Sequence, residues 1–193
     1  MRLWTIQPVD VWEELNKKGY FICDPTKADY ISDKEWNFKE AYDWLVCQME
    51  HRIGRCPIGV SYPIWAWHTY DWKYKKPDLR KVGLGNKGKK SVCIEVEIPD
   101  NQIVLTDFDA WHFVLNNWYF DNSYSEEEWE NLHAKYDRLD RGVREKLKIQ
   151  SWQKVFDVLP FQNEWCQRGR YIQATFWVLY LKDVKDARFF TAR

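Results

Sequence analysis

The sequence predicts an α+β domain with a mixed or antiparallel sheet core and flanking helices. Its segments follow the order β-α-β-α-β-loop-β-β-α-α-α-β-β, and this irregular order argues against a doubly wound parallel sheet. A length of 193 residues with 45% apolar residues suits one domain over residues 1–193, because a chain of this size buries most of its unfolded surface.

The first third of the chain predicts two strands and two helices. Residues 3–7 form a short strand, and Pro8 then takes the first position of a helix that ends at Gly19. Residues 20–23 are a second short extended segment. Apolar residues at helical spacing predict a long helix over 33–52.

The middle of the chain predicts three strands and a polar loop. Residues 64–69 alternate between two faces, and 91–98 form the clearest strand, with valine and isoleucine at every second position. Between them, the segment from Lys73 to Lys90 contains eight Lys or Arg residues and one acid, which predicts a mobile loop. Residues 103–105 return as a further strand.

The last part of the chain predicts helices followed by strands. Thr106 and Asp109 have the spacing of a capping box that begins a helix ending at Leu115, and Ser125 begins the next helix similarly. The remaining elements are a short helix over 151–159, a long strand over 171–181 and a final strand over 188–192. Because both faces of the long strand are largely apolar, we expect it inside the sheet.

Composition limits the function classes. Lys+Arg and Asp+Glu both number 29, so the zero net charge argues against a generally basic binder but permits a local basic patch. No apolar run approaches about 20 residues and no signal-peptide core is present, so we expect no membrane contact and a cytoplasmic location. Five cysteines without a CxxC spacing predict free, mostly buried thiols.

The common catalytic motifs are missing, and the four histidines have no metal-ligand spacing, so no metal site is predicted. Asp107, Asp109 and His112 form a compact polar set at a predicted helix start, which suits acid–base chemistry. An aspartate at that position equally suits a plain helix cap, and the sequence leaves both interpretations open.

Two further polar groups lie on predicted strands. Gln173 and Thr175 interrupt an apolar strand, and a buried amide there needs either a ligand or the protein backbone as its partner. Glu95 and Glu97 share one strand face, which suits acid–base work or ordinary cross-strand pairing with lysine.

The basic segment adjoins a run of aromatic residues, namely Trp65, Trp67, Tyr70, Trp72 and Tyr74. Charge next to stacking surfaces predicts contact with a nucleotide or a single-stranded nucleic acid, the alternative being a solvated loop. The total of 13 tryptophans also suits a carbohydrate-binding module or a tryptophan-rich core.

Five segments together resemble an uncharacterised bacterial family, a domain of unknown function. They are LWTIQ at 3–7, YPIWAW at 62–67, EVEIP at 95–99, TDFDAW at 106–111 and IQATFW at 172–177. The resemblance runs from Leu3 to Ala192 and implies no established activity.

The chain more distantly resembles the ADP-ribosyltransferase superfamily, in particular its DNA-targeting toxin branch. The similar features are a strand, short helix and glycine over 3–19, a strand leading into a basic loop over 63–80, and a TD-x-[ND]-A segment at 106–110. In that superfamily a late Gln-Ala pair precedes the catalytic Glu, whereas here Thr175 follows the pair. Thr5 stands near the place of the superfamily's first-strand His or Arg.

This resemblance implies an ADP-ribosyltransferase-like fold with a cleft for NAD or a related nucleotide, and a nucleic acid as acceptor. The implied catalytic residues are Asp107, Asp109, Gln173 and Thr175, and the implied ligand-binding residues are Thr5, Gln7, Trp65, Trp67, Arg80 and His112. Because threonine replaces the charged Glu, the alternative is a non-catalytic module that binds a nucleotide, a nucleic acid or a protein partner.

Overall fold

A computed structural model describes residues 1–27 and 38–193. The strands in these ranges are β1 (Arg2–Pro8), β2 (Tyr20–Phe21), β3 (Ile64–Thr69), β4 (Lys90–Glu97), β5 (Val104–Asp107), β6 (Phe161–Gln162), β7 (Gln167–Arg168), β8 (Ile172–Phe176), β9 (Leu179–Tyr180) and β10 (Val184–Thr191). The α-helices are α1 (Val9–Lys18), α2 (Lys39–Ile53), α3 (Phe108–Leu115), α4 (Glu126–Asp137) and α5 (Arg141–Ser151). Short 3₁₀ helices cover Asp100–Gln102, Trp152–Phe156 and Leu181–Asp183.

Six strands form the central sheet in the order β10-β4-β1-β3-β8-β5, and every neighbouring pair is antiparallel. The protein is therefore α+β with an antiparallel sheet. The prediction that the late apolar strand lies inside the sheet is confirmed, since β8 pairs with β3 on one side and β5 on the other. Two small ribbons, β2–β9 and β6–β7, accompany the sheet.

Apolar side chains pack on both faces of the sheet, because successive residues of a strand point to opposite sides. On one face, Leu3, Ile94 and Phe176 pack with Leu15 of α1. On the other, Trp111 of α3 belongs to a second buried cluster that joins α2, α3 and β5. The second cluster places α3 against the sheet, and this packing positions the candidate site.

The pairing between β1 and β3, at the middle of the sheet, is limited to one pair of opposite residues. β1 follows β4 along its whole length but pairs with β3 only where Trp4 lies opposite Trp67. Past that point the Thr5 hydroxyl donates to the Trp65 carbonyl oxygen at 2.8 Å, so a side chain links β1 to β3 there. A cleft opens next to this link.

Several predicted boundaries are wrong near the chain's two ends. The predicted strand 171–181 stops at Phe176, and β9 then leaves the sheet to pair with β2. The final strand begins earlier than expected, at Val184. Pro8 is the last residue of β1 and caps α1 rather than entering it.

The helix predictions are partly confirmed. Gly19 ends α1 in a left-handed conformation and donates to the Leu15 carbonyl oxygen, as the sequence predicts. The long helix begins at Lys39, and residues 33–37 of the predicted span lie outside the described residues. Residues 151–159 contain a 3₁₀ helix over Trp152–Phe156 in place of the predicted short helix.

The five cysteines are free, as predicted, but only Cys93 is buried, so the expectation of mostly buried thiols is wrong. Burial raises the pKa of the Cys93 thiol to about 12.

Within the part of the chain that the structure describes, no helix has the length and apolar character needed to span a bilayer.

Candidate functional site

A cleft of about 1100 Å³ opens where β1 leaves β3. We call it the sheet cleft. The end of β1, the start of α1 and the segment 63–65 form one part of its lining, while α3, Gln173 of β8 and residues 85–91 form another. Its volume slightly exceeds the usual range of pockets that hold drug-sized molecules, about 300–1000 Å³.

The apolar lining of the sheet cleft is rich in aromatic rings, contributed by Phe21, Phe38, Tyr42, Trp65, Phe108 and Trp111. Trp65 and Trp111 have ring centroids 5.4 Å apart, and both lie near Tyr42. The Trp65 indole N–H is buried and has no hydrogen-bond acceptor among the described residues. These contacts make the aromatic wall continuous with the core beneath α3.

Neutral amides and lysines provide part of the polar lining. The half-buried side chain of Gln173 forms no hydrogen bond with a described residue, although it belongs to an inner strand. Lys27, Lys89 and Lys90 also line the cleft, and none forms an ion pair within the described ranges. Uncommitted donors beside aromatic rings suit a ligand that has both a flat ring and anionic groups.

Three acidic residues line the same cleft on the side of α1. Glu14 is paired with Lys18 at 2.7 Å, and Asp24 accepts two hydrogen bonds from Thr26. Asp10 lies in the first turn of α1, where the helix dipole favours a negative charge.

A tight loop holds the lysines at the rim. Gly85 has a φ of +92°, and a Cβ atom at this position would lie 3.0 Å from the Ser91 hydroxyl oxygen. Gly88 donates to the Ala192 carbonyl oxygen at 2.8 Å, and Ala192 donates to that of Lys89 at 3.0 Å. The end of the basic segment is thus anchored beside the last strand, next to the cleft.

A smaller cavity of about 310 Å³ lies against the opposite face of α3. We call it the hairpin cavity, because the β6–β7 hairpin and residues 120–123 complete its lining. It contains Asp107 and Asp109, both of which the sequence grouped with the residues that line the sheet cleft.

Asp107 is 3% exposed and has two structural partners. One carboxylate oxygen accepts from the Ala110 backbone N–H at 3.0 Å and the other from that of Gly169 at 2.6 Å. Burial raises the pKa of Asp107, and these two hydrogen bonds oppose the rise. The capping interpretation is therefore supported, but the cap is Asp107 and not Thr106, because β5 continues through Asp107.

Asp109 is exposed and has no hydrogen-bond or ion-pair partner within the described ranges. Desolvation by the surrounding protein raises its pKa, and the negative charge of Asp107 adds to the rise. The raised pKa of Asp109 therefore depends in part on its neighbour Asp107.

The structure distributes the sequence-predicted site residues over several places. Gln7, Trp65 and Gln173 line the sheet cleft, whereas Asp107 and Asp109 line the hairpin cavity. Thr5 lies beneath the cleft, where it accepts a hydrogen bond from the Gln7 amide at 2.7 Å. Thr175 is fully buried, donates to the Val104 carbonyl oxygen at 3.3 Å and lines neither described cavity.

The remaining predicted residues lie outside both cavities. Trp67 packs against Tyr70, Phe108 and Tyr171 in a half-buried aromatic group. His112 is exposed, with its ring next to that of Phe108.

The basic segment is less free of partners than its sequence indicates. Arg80 pairs with Asp78 at 2.8 Å, and Lys81 lies 3.7 Å from Asp71.

Of the predicted strand carboxylates, Glu95 accepts from the Trp4 indole N–H and pairs with Arg2, and Glu97 pairs with Lys185. These contacts support the interpretation as cross-strand pairing.

Sequence reasoning missed several residues that shape the two sites. Phe108 and Trp111 are three positions apart, and this helical spacing was the available signal for a shared face. The hairpin residues Trp165 and Arg168 carried no such signal, because a two-residue strand has no periodicity to detect.

Metal binding finds no support within residues 1–27 and 38–193, where no group of three His, Cys, Asp or Glu side chains could hold an ion.

Comparison with curated proteins and with solved structures gives no significant match to this chain. The model of one protein family, described as Domain of unknown function (DUF3841), matches residues 2–185. The chain therefore belongs to the DUF3841 family.

Proposed function

We propose that the protein binds a nucleotide, NAD or a related molecule, in the sheet cleft. The observation that carries this proposal is the uncommitted Gln173 amide, which lines an aromatic cleft together with three lysines that lack ion-pair partners among the described residues. An amide on an inner strand normally bonds to backbone or to another side chain. A ligand with hydrogen-bonding groups supplies the missing partner.

Each part of a nucleotide has a matching group in this cleft. A base or nicotinamide ring can pack against the aromatic wall, and a ribose or carboxamide can bond to Gln173 or Gln7. Phosphate oxygens suit Lys89 and Lys90, which lie on the anchored end of the basic segment.

We propose binding rather than ADP-ribosyl transfer as the primary role. A transfer reaction of the ADP-ribosyltransferase kind needs a carboxylate near the nicotinamide ribose. Thr175 is buried against Val104, and Asp107 and Asp109 line the other cavity. Among the described lining residues, Asp10 is the carboxylate with neither an ion-pair partner nor a side-chain hydrogen bond, so a transferase would depend on it.

Isothermal titration calorimetry with NAD, ADP-ribose and ATP tests the proposal directly. A ligand present at 100 times its dissociation constant stabilises the folded state by about 2.7 kcal/mol, so a thermal shift provides a second readout. We expect saturable binding of at least one of the three. If none binds at millimolar concentration, the proposal is wrong.

Two matched pairs of variants locate the ligand. Lys89→Ala should weaken binding about tenfold or more, because it removes a charged hydrogen-bond donor, whereas Lys87→Ala on the same segment lies outside the described lining. Gln173→Ala should weaken binding about twofold to tenfold, and Gln162→Ala on the hairpin serves as its control. Binding unchanged by Lys89→Ala and Gln173→Ala would place the ligand elsewhere.

An assay for NAD consumption separates the two roles. We expect no turnover by purified protein. If turnover is found and Asp10→Asn abolishes it, the protein is a transferase or glycohydrolase that uses the sheet cleft. The same titrations with short single-stranded DNA and RNA test whether the basic segment also contacts a nucleic acid.

A further inference from the structure

The hairpin cavity combines aromatic rings with carboxylates, and none of its lining residues lines the sheet cleft. Phe113 and Phe120 line it with centroids 4.8 Å apart, and Trp129 and Trp165 line it with centroids 6.4 Å apart. The two tryptophans are 40% and 44% exposed, although large apolar side chains are mostly buried. Their accessible ring surface is therefore available to a ligand.

Two cationic side chains also line this cavity, and each is bonded to a neighbouring group. Arg168 pairs with Asp157 at 2.6 Å and donates to the Leu159 carbonyl oxygen. Lys154 donates to the Asp121 carbonyl oxygen at 2.8 Å. Asp109 forms no hydrogen bond or ion pair within the described ranges, and the lining has three aspartates against these two cations, so its formal charge is negative.

Internal bonds hold the aromatic side chains in place. The Trp165 indole N–H donates to the Ser123 hydroxyl oxygen at 3.1 Å. Trp129 packs on His133 with centroids 4.6 Å apart, and His133 in turn pairs with Asp121 at 3.0 Å. A site whose rings are fixed in advance loses less conformational freedom when a ligand binds.

We propose that the hairpin cavity binds a quaternary ammonium group, with the cation near Asp109 and its methyl groups against Trp129 and Trp165. Aromatic faces attract cations through their quadrupole, and a methylated ammonium has a small desolvation cost compared with a primary amine. A nearby carboxylate adds charge attraction that a neutral ligand of the same shape cannot gain.

Tryptophan fluorescence and calorimetric titration with choline test this proposal. The matched control ligand is 3,3-dimethyl-1-butanol, which has the shape of choline without its charge. We expect choline to bind saturably and the alcohol to bind at least about fivefold more weakly, the equivalent of about 1 kcal/mol of charge attraction. Equal binding of the two ligands, or no binding of choline, overturns the proposal.

Two variant pairs assign the contacts. Trp129→Ala should weaken choline binding about 2- to 30-fold, while Trp118→Ala, which removes an exposed tryptophan outside the cavity lining, should leave it unchanged. Asp109→Asn should weaken binding about fivefold, while Asp137→Asn on α4 should not. Thermal melting verifies that each variant is folded, and choline binding unaffected by both Trp129→Ala and Asp109→Asn also overturns the proposal.

A quaternary ammonium group can belong to a free metabolite or to a methylated lysine of a protein. Titration with a peptide containing trimethyl-lysine, against the same peptide with unmodified lysine, distinguishes these sources. Preference for the methylated peptide over choline indicates a protein partner, and the reverse indicates a small molecule. Either preference supports the site.

Discussion

The two faces of α3 present different chemistry to two different cavities. Phe108 and Trp111 face the sheet cleft, where amides, three lysines and three carboxylates accompany the rings. Asp109 and Phe113 face the hairpin cavity, where three carboxylates and two cationic side chains accompany the rings. One helix of eight residues thus separates two cavities whose linings differ in composition.

Burial differs between these two faces as well. Trp111 is 3% exposed and packs with Trp65 and Tyr42 in the second apolar cluster. Phe113 is only half-buried, because its side of the helix borders the open cavity. The sheet cleft is therefore built into the core, whereas the hairpin cavity is built onto its surface.

Truncating one side chain on each face tests this difference in burial. Of the predictions made for this comparison, it has the largest expected effect on the free energy of unfolding. Trp111→Ala should lower the free energy of unfolding by about 3–5 kcal/mol, because it leaves a void in a packed cluster. Phe113→Ala should cost less than half as much, because its site is partly hydrated in the native protein. Urea denaturation of both variants measures the two costs, and equal costs would show that both faces contribute equally to the core.

The sequence predicts most of the fold because its elements have clear periodicity. The alternation of Val92, Ile94 and Val96 marks β4, and the spacing of apolar residues marks α2. The break between Phe176 and Leu179 could not be predicted, since both halves of that segment are apolar and only the distant pairing of β9 with β2 separates them.

The site is harder to predict than the fold, because neighbours in sequence diverge in space. The sequence predicts Asp107 and Asp109 beside Trp65 and Gln173. Asp109 and Trp111 instead point to opposite sides of α3, and Asp107 caps the start of the helix. The separation of β1 from β3 also has no local signal. It depends on contacts between residues 60 positions apart in the chain, such as the hydrogen bond from the Thr5 hydroxyl to the Trp65 carbonyl oxygen.

Substitution of the two carboxylates Asp107 and Asp109 should give the next largest difference in the free energy of unfolding. Asp107→Asn should lower the free energy of unfolding by about 1–3 kcal/mol. The asparagine amide has one acceptor oxygen where the carboxylate has two, so the buried Gly169 N–H loses its partner. Asp109→Asn should change it little, because this carboxylate has no described partner to lose. Chemical denaturation at pH 7 compares them, and a similar loss in both variants would mean that Asp109 also supports the fold.

The pH dependence of stability should reveal the smallest effect, which arises from Asp109 alone. Its folded-state pKa is raised above the ordinary value of 3.8 by desolvation and by Asp107. A raised pKa means that the stabilising contribution of this group is complete below pH 3.8 and is lost as the pH rises through the folded-state pKa. Asp109→Asn removes that dependence, so the stability of the variant relative to wild type should increase from pH 3.5 to pH 7.

Asp78 provides a control of opposite sign. Its hydrogen bonds from Arg80 lower the pKa of Asp78, so its contribution is present above the ordinary value of 3.8 and is lost as the pH falls. Asp78→Asn should therefore lose stability relative to wild type over the same rise in pH. Urea denaturation gives the stability of each variant relative to wild type as a function of pH. Opposite slopes for the two variants would show that Asp109, unlike Asp78, has no stabilising positive partner in the folded protein, and parallel slopes would contradict this.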